Sequence, residues 1–391
     1  MNRRSFLYNL GVVTSGIYLS GCGSVVRNIG ESRGGTVVYQ SGEGGYDTYR
    51  IPSLLKTEEN TLLAFCEGRK NSRSDTGNID LLCKRSDDFG VTWSEQQVIW
   101  DDGQNVCGNP CVVQDADTGT IHLLLTHNLG TDSERDIIFH TAESTRTVWI
   151  SSSRDDGRTW AAPKEITSSV KPISWGWYAT GPGVGIQLHS SEYAGRLIVP
   201  CDHSYDDPDG DVRGGPYGYG SHVIFSDDHG ETWQTGGAVR PKVNECQMVE
   251  LTDGVLLLNM RSYHGEGCRM HAWSYDGGIN WTDLVPAPDL VEPVCQASLI
   301  RADEPKSGSD TLLFSNPAHR ENRVQMTVRM SPDGGETWPF KKLLHPGPSA
   351  YSCLTMLNED AAGCLYEKGE DHPYETITFE SLSLKSLSNT R

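Results

Sequence analysis

Arg50 stands in the stretch "TYRIPSLL", residues 48–55, directly ahead of Ile-Pro and a short apolar run. Runs of that kind bury as strands, and arginine is almost never buried without a partner. The chemistry such a residue offers is a two-pronged grip on a carboxylate or phosphate. Asp75, in "SRSDTGN", lies in a polar loop between two strand-like runs, where proton-transferring carboxyls gather. Ser74, Asp80, Asp87 and Asp88 are its rivals on composition. The acidic run 202–211, "DHSYDDPDGD", has the composition of a calcium loop but not its register, because the first ligand position falls on Tyr205. It reads as a solvated loop. Of 11 cysteines, those after Cys22 form no CxxC pair and no Cys/His zinc spacing, so they read as small buried apolar residues. With no HExxH, phosphate-binding glycine loop or Ser-His-Asp pattern, no metal or cofactor is expected.

The elements that must hold these residues are announced by a repeat. Five copies of S-x-D-x-G-x-T-W occur: "SDDFGVTW" from Ser86, "SRDDGRTW" from Ser153, "SDDHGETW" from Ser226, "SYDGGINW" from Ser274 and "SPDGGETW" from Ser331. Ser and Asp side chains bond nearby backbone N–H groups, Gly supplies a positive φ, and Trp buries a large face. Each copy is therefore a turn that staples strands, and its Asp carries no chemistry. Between the copies run short alternating segments such as "NIDLLCKR" and "QMTVRMS", with no long amphipathic helix. Repeats of about 50 to 70 residues built from short strands predict an all-β fold, a six-bladed β-propeller with four antiparallel strands per blade. One blade lacks a detectable copy.

Bulk properties narrow the partners. The chain has 391 residues, 36% hydrophobic and 22% charged, an ordinary globular composition. A net charge of −19 argues against nucleic acid. An anionic small ligand would approach against a repulsive field and would need a local cluster of arginines.

Taken together, the repeats and the motifs around them resemble the exo-sialidase family. The five copies match its Asp boxes, and "YRIPSLL" is similar to its opening arginine-isoleucine-proline motif. "AFCEGRKNSRSDTGNIDLL", "NECQMVELTDGVLLLNMRS", "ENRVQMTVRMSPDGGETW" and "GPSAYSCL…GCLYEKG" resemble later segments, in the family's order, over residues 36–385. The resemblance implies hydrolysis of terminal sialic acid on glycoproteins, glycolipids and oligosaccharides. It maps a carboxylate-binding triad onto Arg50, Arg261 and Arg323, with Arg320 and Arg329 as alternatives for the third. Glu367 would hold the first arginine, and Arg69 would meet the sugar's 4-hydroxyl. Tyr351 would be the nucleophile, Glu245 its base and Asp75 the acid/base. Asn109 and His203 would line the N-acyl pocket, while Trp175, Trp177 and Tyr178 read as core. The substrate's own carboxylate repels an anionic nucleophile, which gives a neutral phenol its advantage. Enzymes that transfer sialic acid, close an anhydro ring or prefer a deaminated sialic acid share these residues. Non-catalytic glycan-binding propellers share the repeats alone.

The N-terminus reads as a targeting segment. "NRRSFL" resembles a twin-arginine export signal, and "LSGC" resembles a lipoprotein cleavage box with Cys22 as the lipidated residue. The expected organisation is a signal peptide over 1–21, a lipid-anchored linker over 22–35 and a monomeric propeller over 36–391. The expected location is the periplasm or outer surface.

Overall fold

The computed structural model describes residues 35–302 and 308–390. The predicted signal peptide and Cys22 lie outside the described residues. No helix among the described residues is long and apolar enough to cross a membrane.

Strands dominate, and they pair as successive antiparallel meanders. Thr48–Lys56, Leu62–Arg69, Ile79–Ser86 and Gln97–Trp100 form the first. Val106–Gln114, Ile121–Asn128, Thr147–Ser153 and Lys164–Glu165 form the next. A third is built on Leu197–Asp206, Tyr217–Ser226 and Gln234–Val239, with Tyr178–Thr180 at its inner edge. Val243–Glu250, Leu256–Ser262, Cys268–Ser274 and Val285–Val291 follow. Ser298–Arg301, Leu312–Pro317 and Val324–Ser331 lead into the 19-residue strand Phe340–Asn358. That long strand pairs on with Ala361–Lys368, Thr376–Ser383 and finally Thr36–Gln40. The N-terminal strand thus completes the C-terminal sheet.

The sequence pattern explains the stacking. Along Leu62–Arg69 no residue is polar until Glu67, because both faces of the strand are covered. Leu62, Ala64 and Cys66 pack toward the last meander, against Tyr39, Leu365 and Phe379. Leu63 and Phe65 point the other way, toward Val112, Leu123 and Leu125. Successive side chains of a strand alternate faces, so a strand between two apolar seams reads as a continuous apolar run. All ten described cysteines are free and buried in such positions.

The five repeats form one structure five times. Ser86 Oγ donates to Asp88 Oδ1 (2.8 Å) and accepts from Gly90 N (2.8 Å), while Thr92 gives its N–H and hydroxyl to the same carboxylate at 2.9 and 2.6 Å. The bonds recur around Asp155, Asp228, Asp276 and Asp333. In each case the bonded carboxyl is held below its ordinary pKa, and that of Asp155 falls to about 2 through its bonds to Thr159. Gly90 has φ +88°, and a Cβ there would lie 2.1 Å from the Phe379 ring of the neighbouring meander. Trp93 packs edge-on to the same ring at 5.6 Å. In the first meander Leu62 pairs with Ser86 while Arg69 pairs with Thr48, so these turns lie at the end of the sheet opposite Arg50.

Candidate active site

The innermost strands of four meanders break register at the same level. The slips fall between Arg50 and Ser53, between Gly108 and Cys111, between Val243 and Cys246, and between Ser349 and Ser352. Those stretches hold Ile51, Asn109, Glu245 and Tyr351. A bulge re-aims the side chains beside it, and here it turns them out of the seams into a shared hollow at the centre. Ile51 has φ 62°, a left-handed conformation that strains a β-branched residue by about 1–3 kcal/mol. Glu367 stabilises that kink. Its fully buried carboxylate accepts Ile51 N at 2.9 Å, Arg50 Nε at 2.9 Å and Tyr351 N at 3.0 Å. One acid therefore fixes the first arginine and the backbone of the tyrosine together.

The hollow is a cavity of about 240 Å³. Arg50, Arg261 and Arg323 line it, together with Arg69, Asp75, Asn109, Glu245 and Tyr351. The Tyr351 hydroxyl donates to Glu245 Oε1 at 2.6 Å. The other oxygen of Glu245 accepts from Arg261 Nη1 at 2.7 Å, and the same nitrogen stands 3.4 Å from the phenol. The guanidinium of Arg50 lies 5.0 Å from the Tyr351 ring centre and 4.0 Å from that of Tyr374. Arg323 donates to the Tyr374 hydroxyl at 3.1 Å and to the Val294 carbonyl at 3.2 Å. Burial, and after it the Glu245 carboxylate, pushes the Tyr351 phenol well above its ordinary pKa, against the opposing pull of the three arginines. The phenol is thus neutral at rest and already bonded to a base.

Asp75 sits at the rim with its side chain 68% exposed. Its Oδ1 is 2.8 Å from Arg69 Nη1 and 3.8 Å from Arg50 Nη1. Its surroundings by themselves would raise the carboxyl's pKa by desolvation, but the guanidiniums of Arg69 and Arg50 hold it below the ordinary value. Arg69 in turn donates Nε and Nη2 to Glu67 Oε2 at 3.0 and 2.6 Å.

Arg320 and Arg329 stay outside the cavity. Arg320 donates to the Glu266 carbonyl at 2.8 Å, and Arg329 donates to Asn316 Oδ1 at 3.2 Å. Asp80 is tied to Tyr46 (2.6 Å) and Lys70 (2.8 Å), and Asp88 belongs to its repeat turn. His203 does not reach the cavity. It is fully buried, stacked on Trp175 at 3.5 Å and bonded to His222 and Arg240. Its neighbour Asp202 lines the cavity instead, because adjacent residues of a strand face opposite ways. Asp202 is itself buried, so only the later part of the acidic run, Asp207–Asp211, leaves the strand as a surface turn. Trp175 and Tyr178 are core, whereas Trp177 lines the cavity over the Arg146 guanidinium at 4.0 Å.

Sequence reasoning missed Glu67, Arg146 and Glu134. Glu67 was within reach, since it stands two residues before Arg69 on one strand and therefore on the same face. Arg146 gave no signal, being a lone cation ahead of an ordinary strand. Glu134 caps no motif; its short helix Glu134–Ile138 brings it to Tyr219 and Arg213 at the cavity mouth.

Comparison with known proteins places this arrangement. The family model for the BNR repeat-like domain matches residues 60–365. A sialidase of Micromonospora viridifaciens is 36% identical over 84% of this chain and 51% of its own length. A sialidase of Bacteroides fragilis is 33% identical over 91% of this chain and 66% of its own, and mouse sialidase-2 is 31% identical over 88% and 95%. Among solved structures, the Hadza microbial sialidase Hz136 superposes with a TM-score of 0.79 at 35% identity, covering 90% of this chain and 69% of that one. A leech intramolecular trans-sialidase shares the fold at TM-score 0.78 and 20% identity. The chain belongs to the sialidase family. It spans about half the length of the Micromonospora relative.

Proposed function

We propose that this chain is a retaining exo-α-sialidase that removes terminal sialic acid from glycoproteins, glycolipids and oligosaccharides. The observation that carries the reading is the 2.6 Å bond from the Tyr351 hydroxyl to Glu245, set beside three guanidiniums in one cavity. Arg50, Arg261 and Arg323 bind the substrate carboxylate and so place the anomeric carbon above the phenol. Glu245 takes the phenol proton as Tyr351 Oη attacks that carbon. The glycosidic bond breaks, and Asp75 gives its proton to the departing oxygen. In the second half Asp75 removes a proton from water, whose oxygen displaces Oη, and Glu245 returns the proton to Tyr351. Two displacements at one carbon retain configuration. The scaffold is a six-bladed propeller of four-stranded blades, a reading supported by the successive meanders and the closure by Thr36–Gln40.

Residues 23–391, assayed on a fluorogenic α-sialoside with the product followed by NMR, test the proposal. Free sialic acid released first as the α-anomer, and lost in Tyr351→Phe, supports it. A 2,7-anhydro product would instead make the chain an intramolecular trans-sialidase, and a folded, inactive protein would sink the enzyme reading. We also propose export and lipid anchoring at Cys22. Acyl-labelled protein in the membrane fraction, released by Cys22→Ser, is the expected result.

A further inference from the structure

Among the described residues that line the cavity, Asp202 is the acid that nothing pairs. It is 1% exposed, and neither of its carboxyl oxygens has a hydrogen-bond partner. The other acids of the site are each met by a guanidinium. Glu67 and Asp75 meet Arg69 at 2.6 and 2.8 Å, and Glu245 meets Arg261 at 2.7 Å. Glu367 meets Arg50 at 2.9 Å, and Glu134 meets Arg213. Asn244 Oδ1, which also lines the cavity side, is a second buried acceptor without a partner. Ser221 links the two: it pairs with Asp202 across the sheet and donates to the Asn244 carbonyl at 2.5 Å.

A buried carboxylate with no bond and no ion pair is far costlier than the neutral acid. A proton on Asp202 also supplies a donor on a wall that otherwise offers acceptors. The surrounding charges act in both directions. Burial raises the pKa of Asp202 well above its ordinary value, and the Glu245 and Glu134 carboxylates add to that, while Arg261 and Arg146 oppose it. Neither cation belongs to Asp202 alone. Arg261 is paired with Glu245, and Arg146 is acted on by Glu67, Glu134 and Asp75 as well. His203 and His222 lie on the other face of the two strands, bonded to each other. Between the two carboxyls the proton stays on Asp202, because Glu245 already has Arg261 and the Tyr351 hydroxyl.

We infer that Asp202 is a proton gate on substrate binding: as a neutral acid it lets the substrate's carboxylate settle among the arginines, and as an anion it repels that carboxylate. The coupling is reciprocal. A bound anion disfavours a second anion in the same cavity, so binding drives a proton onto Asp202 wherever it was ionised before. Affinity therefore falls as pH rises through the pKa of Asp202 in the free protein and levels off above its value in the complex. Asp75 is shifted the other way, below the ordinary carboxylate value, so the two effects separate along the pH axis. The inference rests on the sialidase reading for its ligand and adds a control by pH.

Calorimetric titration with the uncleaved 2,3-didehydro analogue of sialic acid tests it. Runs from about pH 5 to about pH 9, in buffers of different ionisation enthalpy, read affinity and proton uptake together. Wild type is expected to lose about 10-fold or more in affinity over the upper half of that range. Binding there should take up as much as about one proton per ligand. Asp202→Asn, the uncharged isostere, should flatten the upper part of the affinity curve and abolish the uptake. Asp202→Ser removes the same charge and serves if the amide does not fold. A wild-type curve that is flat over the upper range overturns the inference, as does a fall of equal size in a folded uncharged variant. Cleavage of the fluorogenic α-sialoside by wild type keeps the two readings apart. An active enzyme without the gate leaves the sialidase reading intact, whereas a folded wild type that neither binds nor cleaves overturns both.

Discussion

At the residue scale, the pKa values of two acids of the site are pushed in opposite directions. Burial and Glu245 raise that of Tyr351, whereas the guanidiniums of Arg69 and Arg50 lower that of Asp75. Tyr351→Phe removes one hydroxyl and leaves Glu245 paired with Arg261. It should cut kcat by about 10³-fold or more while costing only about 1 kcal/mol of stability, compared by steady-state assay and thermal melting. Asp75 donates only when protonated, and its pKa lies below the usual carboxylate value. The kcat/KM of wild type should therefore fall as pH rises through the acid range. The bound substrate's carboxylate offsets the charge of Arg50, which raises the pKa of Asp75 in the complex. The descending limb of kcat should then lie at higher pH than that of kcat/KM. Coincident limbs in the two profiles would show that substrate binding does not act on Asp75.

At the element scale, the decisive features are the bulges and the turns at the two ends of each sheet. Glu367 serves one bulge and the strand beside it through three bonds. Glu367→Gln leaves the shape but weakens the grip on Arg50 and on the Tyr351 backbone, so KM should rise and kcat should fall together. A change confined to KM would mean that the acid serves Arg50 alone. The repeat turns act on stability. Gly90→Ala places a methyl against Phe379 and strains a backbone at φ +88°. It should destabilise the fold by about 2 kcal/mol or more, seen by denaturant titration, with activity per folded molecule unchanged. Among the described residues the repeat was legible because every bond of the turn is local, formed within eight residues. The bulges were not legible, because a register slip is defined only against the partner strand.

At the scale of the whole molecule, the first and last described strands pair, Thr36–Gln40 with Thr376–Ser383. Tyr39, from the first described strand, is buried and donates its hydroxyl to the Ala64 carbonyl at 2.8 Å, so it ties the last sheet to the first. Tyr39→Ala should cost about 3–5 kcal/mol and lower the midpoint of a single unfolding transition. A transition that splits in two would show that the meanders unfold separately.

The sequence by itself determined the strand-rich class, the repeat turns and the residues able to grip a carboxylate, because each depends on local periodicity or on the chemistry of one side chain. The resemblance of its motifs to those of the exo-sialidase family placed Arg50, Asp75, Glu245 and Tyr351 as candidates. Tertiary structure decided the rest. Residues 245 and 351 become hydrogen-bond partners only when two innermost strands meet at the centre. Arg323 enters the cavity and Arg320 does not, though three positions separate them. Asp202 faces the cavity and His203 the core, because a strand alternates its faces and only the packed neighbour says which face is which. Arg146 carried no local mark at all. Its partners Asn109 and Trp177 come from other strands and loops and meet it only in the folded chain.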